Sequence, residues 1–216
     1  MKNLLLLFMI ISIEYSCRVI PFTINTPNCG RTTLITVHPA NKQIAYLVSG
    51  AGLLFKTTNE GLTWQRQHIS FRVVDIKFDP YNYDRLVATA FNVNGNSRGG
   101  IYVSINGGRD WAKPPSLNRA IEGHGISFVE GRVLIGTNEG IAISNDLENW
   151  TLSQPFSSGN QTILSVIDRG NNQINAAGSQ GVVYSNNNGQ TWDLSTGAIS
   201  ENVDIDHNIF ANRLIC

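Results

Sequence analysis

Acid–base cleavage of a glycosidic bond needs two carboxyl groups facing across a cleft, and five aspartates of the 216-residue chain are placed to be tested for that work. Asp75, Asp204 and Asp206 lie within apolar-alternating runs, VVDIKF and NVDIDH, while Asp79 and Asp168 lie where such runs end. Asp75, between Val74 and Ile76, is the catalytic candidate, on the expectation that it points toward a central channel. Its other reading is a carboxylate bonded to backbone or water. Asp79 precedes Pro80, a strand-end turn, and reads as structural. The four histidines, His38, His68, His124 and His207, show no metal-ligand spacing, so no metal or cofactor is expected. His38 stands before Pro39 as Asp79 stands before Pro80, an equivalent turn residue. No G-x-S-x-G nucleophile elbow occurs. The glycines of SRGGIY and INGGRDW lack the Lys-Ser/Thr partner of a phosphate loop.

The chain's charge narrows the partners. Sixteen basic and sixteen acidic residues cancel, and a net charge of zero provides no field for nucleic acid or an anionic membrane. Charged residues make up 15%, below the usual share of about 25%. Hydrophobic residues at 42% suit a globular chain, and the polar surface is built from Asn, Gln, Ser, Thr and 20 Gly.

The first residues, MKNLLLLFMIISIEYSC, place Lys2 before an uncharged run from Leu4 to Ile13. That run is short for a membrane span and has the form of a secretory leader over 1–17. Secretion or another extracytoplasmic location is therefore expected, with periplasmic, lumenal or Cys17-lipidated placement left open. Secretion permits disulfides. Of Cys17, Cys29 and Cys216, the pair Cys29–Cys216 could tie the ends together, or each could pair outside the chain.

The elements that would position these groups emerge from a repeat. TTNEGLTW (57–64), SINGGRDW (104–111), SNDLENW (144–150) and SNNNGQTW (185–192) recur at intervals of about forty residues and use all four tryptophans. Upstream of each stands an alternating strand, a turn rich in Pro, Asn or Asp, a second strand such as RLVATA, and a Gly-led third strand such as GGIYVS. A short strand follows the tryptophan. Four strands per repeat is the size of a propeller blade, which must stack on neighbours to bury its faces. The chain reads as all-β: a β-propeller over 18–216, with four-stranded blades near 31–70, 71–115, 123–155 and 162–196 and a partial fifth at 201–216. Four blades and one strand do not close a ring tidily, which suggests a larger parent chain, a partner chain or self-association.

Within each repeat the leading Ser or Thr offers a hydroxyl to the turn, the Asn or Asp two residues on can form an Asx-turn, Gly supplies positive φ, and Trp anchors the outer strand. The pattern resembles the Asp-box, or bacterial neuraminidase repeat, Ser/Thr-x-Asp-x-Gly-x-Thr-Trp. Thr57, Asn59, Gly61 and Trp64 match it; so do Ser104, Asn106, Gly108 and Trp111, and Ser185, Asn187, Gly189 and Trp192, each with Asn for Asp. The third copy keeps Ser144, Asp146 and Trp150 but is one residue short and has no Gly, so its turn should differ. The blade pattern as a whole resembles sortilin-type propellers, photosystem II assembly factors and xyloglucanase-type glycosidases.

What the resemblance implies about function divides two ways. Sialidases share three arginines that clamp a carboxylate, a Tyr–Glu nucleophile pair, an acid/base Asp and an early Arg-Ile-Pro. Here CRVIPF has one residue too many between Arg18 and Pro21, and the other arginines show no spacing that identifies a triad. The favoured reading is a secreted, non-enzymatic, sortilin-like scaffold that binds a protein or glycan at a propeller face. The alternative is a glycoside hydrolase of the sialidase or xyloglucanase type, and a third reading is a truncated relative without independent function. The individual loop AFNVNGNSRGG, with Asn92, Asn94, Asn96 and Arg98, is the candidate binding loop. Asn149 and Asn160 open N-x-Thr sequons and are candidate glycosylation sites.

Overall fold

The computed structural model describes residues 31–91, 98–117, 121–129 and 131–195. The leader, Cys17, Arg18, Cys29, Asn92, Asn94, Asn96, Asp204, Asp206, His207, Cys216 and the expected partial fifth blade lie outside them.

Among the described residues, fifteen strands form four antiparallel sheets. The first contains β1 (Thr32–Val37), β2 (Ala45–Ser49), β3 (Leu54–Thr57) and β4 (Gln65–Arg66), paired in chain order. The third contains β8 (Gly123–Val129), β9 (Arg132–Thr137), β10 (Gly140–Ser144) and β11 (Thr151–Ser153). In the fourth are β12 (Ile163–Gly170), β13 (Gln173–Gly178), β14 (Gly181–Ser185) and β15 (Asp193–Leu194). The second sheet departs from the four-strand expectation. It has β5 (Val73–Asp79), β6 (Asn82–Ala90) and β7 (Gly100–Ser104), and its fourth strand is reduced to one Val103–Ala112 bridge. Pro114 and Pro115 follow at once; they have no N–H to extend the ladder, and a 3₁₀ turn at Pro115–Leu117 takes over.

The blades are stacked by alternation along their middle strands. In β6, Leu86, Ala88 and Ala90 pack toward the first blade with Tyr46, Leu54, Phe71 and Ile76, while Val87 packs toward the third with Ile101, Ile126 and Trp150. Likewise Val133 and Ile135 of β9 face the second blade, and Leu134 faces the fourth, against Ile163, Ile174 and Val183. Successive strand residues point to opposite faces. A sheet covered on both faces therefore reads as a continuous buried run, as VLIGT does in β9. Each fully buried Leu, Ile or Phe contributes about 1.5–3 kcal/mol, so these interfaces dominate the stability. Ile35 and Val37 of β1 and Ile167 of β12 remain exposed on the outward faces of the first and fourth blades.

Candidate functional site

The tryptophan turns are local hydrogen-bond cages. In the first, the Thr57 hydroxyl donates to Asn59 Oδ1 (2.9 Å) and accepts from Gly61 N (3.0 Å); Asn59 Oδ1 also accepts from Thr63 N (2.9 Å), and Asn59 Nδ2 donates to Thr63 Oγ1 (2.9 Å). Ser104, Asn106, Gly108 and Asp110 repeat the set, as do Ser185, Asn187, Gly189 and Thr191. Gly61, Gly108 and Gly189 have φ of 84°, 77° and 81°, in the left-handed region that glycine enters without strain.

Three of these turns also clamp the preceding blade. Tyr46 Oη and Lys56 Nζ of the first blade donate to Gly107 O of the second, at 2.6 and 3.0 Å. Arg85 reaches Asp146 O (3.3 Å) from the second blade to the third. Ser153 Oγ of the third donates to Gly189 O (2.7 Å) and accepts from Trp192 Nε1 (2.9 Å) of the fourth. Burial pushes the Tyr46 phenol well above its ordinary range, which keeps the hydroxyl proton that the bond to Gly107 uses.

Among the described residues, the candidate carboxylates Asp75, Asp79 and Asp168 are committed to the fold. Asp75 is buried, its Oδ1 accepting from Ile76 N (2.8 Å) and its Oδ2 from Ile126 N (3.0 Å) on the neighbouring blade. Asp79 accepts from Tyr81 N (2.9 Å) and pairs with Arg85 (3.3 Å). Asp168 is buried, accepts from Gly170 N (2.9 Å), and pairs with Arg132 across two blades at 2.6 Å. His38 fills the place of Asp79, its Nδ1 accepting from Ala40 N (3.2 Å) and Asn41 N (3.0 Å). Among the described residues no three His, Cys, Asp or Glu side chains gather in a metal-binding group.

Two clefts gather polar groups from separate elements. The first, about 260 Å³, lies where the β2–β3, β4–β5 and β6–β7 connections of the first two blades meet, and Arg66, Arg72 and Arg98 line it with Phe71 and Phe91. Sequence spacing did not identify this trio, because its members come from β4, a blade linker and a loop end. Arg98 is held by its own carbonyl, which accepts from Tyr102 Oη (3.0 Å), while Lys113 Nζ donates to Gly99 O (2.5 Å) beside it. Tyr102 in turn stacks on Phe71 at 3.6 Å, and Phe71 meets Trp111 edge-on at 5.9 Å. A turn tryptophan thus braces the loop end through two rings. Burial raises the Tyr102 phenol, with the Arg98 cation pulling the other way, and burial lowers Lys113.

The second cleft, about 600 Å³, runs along β11 at the rim between the third and fourth blades. Asn145, Gln154, Asn188 and Gln190 line it with Arg132 and Trp192. Arg132 donates to both Asp168 and Asn188 Oδ1, so its charge is already neutralised.

Of the sequon residues, Asn149 is exposed and its Nδ2 donates to Asp146 Oδ2 (2.8 Å), while Asn160 Oδ1 accepts from Thr162 N (2.9 Å) in an exposed link between blades. No helix among the described residues is long and apolar enough to cross a membrane.

No family model and no curated protein matches the sequence. Solved structures do. An ancestral GH74 enzyme is similar at 20% identity and a TM-score of 0.65 over 78% of this chain, and the GH74 xyloglucanase from Xanthomonas campestris at 15% and 0.58 over 74%. YCF48 bound to D1 peptide is similar at 23% and 0.56 over 80%. The chain spans 24%, 29% and 55% of those three proteins. At such identities the likeness concerns the fold, and the fold is that of a β-propeller.

Proposed function

We propose that the chain acts outside the cytoplasm as a non-enzymatic binding or assembly scaffold, sortilin-like in presenting propeller loops to a protein or glycan ligand. The observation that carries this reading is the Arg66–Arg72–Arg98 cleft. Three arginines from separate elements line one small depression, with Phe71 and Phe91 beside them. Guanidinium recognises carboxylate through paired N–H donors, so the ligand engages the cleft by a carboxylate flanked by apolar surface. The likeness to YCF48 in complex with a peptide supports a protein ligand. Of the aspartates suited to acid–base work, Asp75, Asp79 and Asp168 are instead spent on backbone N–H groups and on ion pairs with Arg85 and Arg132.

The hydrolase reading rests on the likeness to a xyloglucanase. One pair of assays tests both. Fluorescence anisotropy of a labelled peptide of alternating Glu and Phe should show salt-sensitive binding, weakened about tenfold or more by Arg98→Ala or Arg66→Ala, since a hydrogen bond to a charged group contributes about 1.5–3 kcal/mol. Binding that ignores both substitutions would remove the arginine cleft from the argument. Turnover on a panel of fluorogenic sialosides and xyloglucan oligosaccharides, abolished by Asp75→Asn in a folded protein, would establish the hydrolase.

A further inference from the structure

We propose that the rim cleft between the third and fourth blades is a second binding site, for an uncharged oligosaccharide. Asn145, Gln154 and Gln190 line this cleft, and among the described residues their side-chain amides make no hydrogen bond. Each amide holds a donor and an acceptor side by side, as successive sugar hydroxyls do. Trp192 supplies an aromatic wall fixed by its bond to Ser153 Oγ, which itself is oriented by Gly189 O. An indole beside polar amides suits a pyranose ring, which has an apolar C–H face and a hydroxylated edge. The charge balance selects against an ionic ligand. Arg132, the charged residue lining the cleft, is satisfied by Asp168 and Asn188. A peptide would find a single aromatic contact and few apolar places for its side chains. The volume, about 600 Å³, is in the range of small-ligand clefts, about 300–1,000 Å³. This site is separate from the arginine cleft and uses none of its residues.

The test titrates the full chain with cellotetraose, xylotetraose, mannotetraose and triacetylchitotriose, following the Trp192 indole N–H by NMR and heat by calorimetry. At least one sugar should bind in the sub-millimolar range and shift the Trp192 resonance. The double variant Gln154→Ala with Gln190→Ala should weaken that binding about tenfold. Both glutamines are exposed, so the thermal midpoint should be unchanged. Arg66→Ala and Arg98→Ala should leave sugar binding intact, and failure of either site then says nothing about the other. The proposal is overturned if none of the four sugars binds, if the double variant binds as the parent does, or if the acidic peptide displaces the sugar.

Discussion

The third and fourth tryptophan turns do the same work at different lengths. In Ser185–Trp192, Ser185 Oγ accepts from Gly189 N (2.8 Å); in the shorter Ser144–Trp150, Ser144 Oγ accepts from Leu147 N (2.9 Å). Trp150 Nε1 donates to Leu147 O (3.0 Å), as Trp111 Nε1 in the second turn donates to Gly108 O (3.1 Å). Leu147 therefore occupies the glycine's place, at φ 68°. The lost residue is the one preceding the glycine, itself left-handed as Asn188 is (φ 61°). Two left-handed residues can be replaced by one, provided the third-position side chain accepts more. Asp146 Oδ1 receives two backbone donors, Glu148 N (2.8 Å) and Asn149 N (2.7 Å), where Asn187 Oδ1 receives one, Thr191 N (2.9 Å).

The sharpest way to break the comparison is to put a side chain on a glycine that packs against a neighbouring blade. A Cβ at Gly108 would lie 2.1 Å from Tyr46 Oη, which is held by its bond to Gly107 O. Gly108→Ala combines that clash with a left-handed alanine and should destabilise by at least about 3 kcal/mol, read by urea unfolding. An unchanged midpoint would mean that the first two blades do not meet as described.

Leu147→Gly is the reverse exchange, and two effects oppose each other. A left-handed leucine costs about 1–2 kcal/mol that glycine would recover. Yet Leu147 is 5% exposed and packs with Val87, Ile101 and Trp150, and emptying such a site costs about 2–5 kcal/mol. Burial wins, so the variant should lose about 1–3 kcal/mol in the same assay. A gain would show that strain, not packing, dominates this turn.

The residues involved show how much the sequence could tell. Blade size, strand order and all four turns were legible because Trp, Gly and Ser/Thr recur in fixed local order, and each acts on groups a few positions away. The differing third turn was expected from the missing glycine, but that Leu147 would take its place depends on a hydrophobic pocket built partly by the second blade. The fate of Asp75 was not legible, since Ile126 N lies fifty-one positions along the chain. For the same reason Arg66, Arg72 and Arg98 looked unrelated. The arrested fourth strand of the second blade could have been read from Pro114 and Pro115.

Charge separates the two turns further. Hydrogen bonds from the Asn149 side chain and backbone, then from Glu148 N, hold the Asp146 carboxyl well below the usual carboxylate range. Its folded pKa is depressed, so the stabilisation is present above the ordinary value of 3.8 and is lost as pH falls through the folded pKa. Asp146→Asn removes this contribution. Thermal midpoints measured from pH 7 down to pH 2 should fall less steeply in the variant, and equal slopes would mean that the carboxylate is no better bonded folded than unfolded.

The smallest effect comes from the opposite exchange, Asn187→Asp. Asn187 Nδ2 now donates to Thr191 Oγ1 (2.7 Å). A carboxylate would instead accept the threonine hydroxyl, which rotates to suit. The hydrogen bonds from Thr191 N and the Ser185 hydroxyl go to Oδ1 and are kept by either residue. At neutral pH the change should stay within about 0.5 kcal/mol. Below pH 4 the variant should acquire an acid sensitivity that its parent lacks at this turn, because the new carboxylate titrates where an amide does not. The acquired slope should be smaller than the one Asp146 confers, since the longer turn offers its third position one backbone N–H at the far end where the shorter turn offers two. An equal slope would mean that turn length has no part in tuning the acid, and the comparison between the two turns would reduce to the chemistry of one side chain.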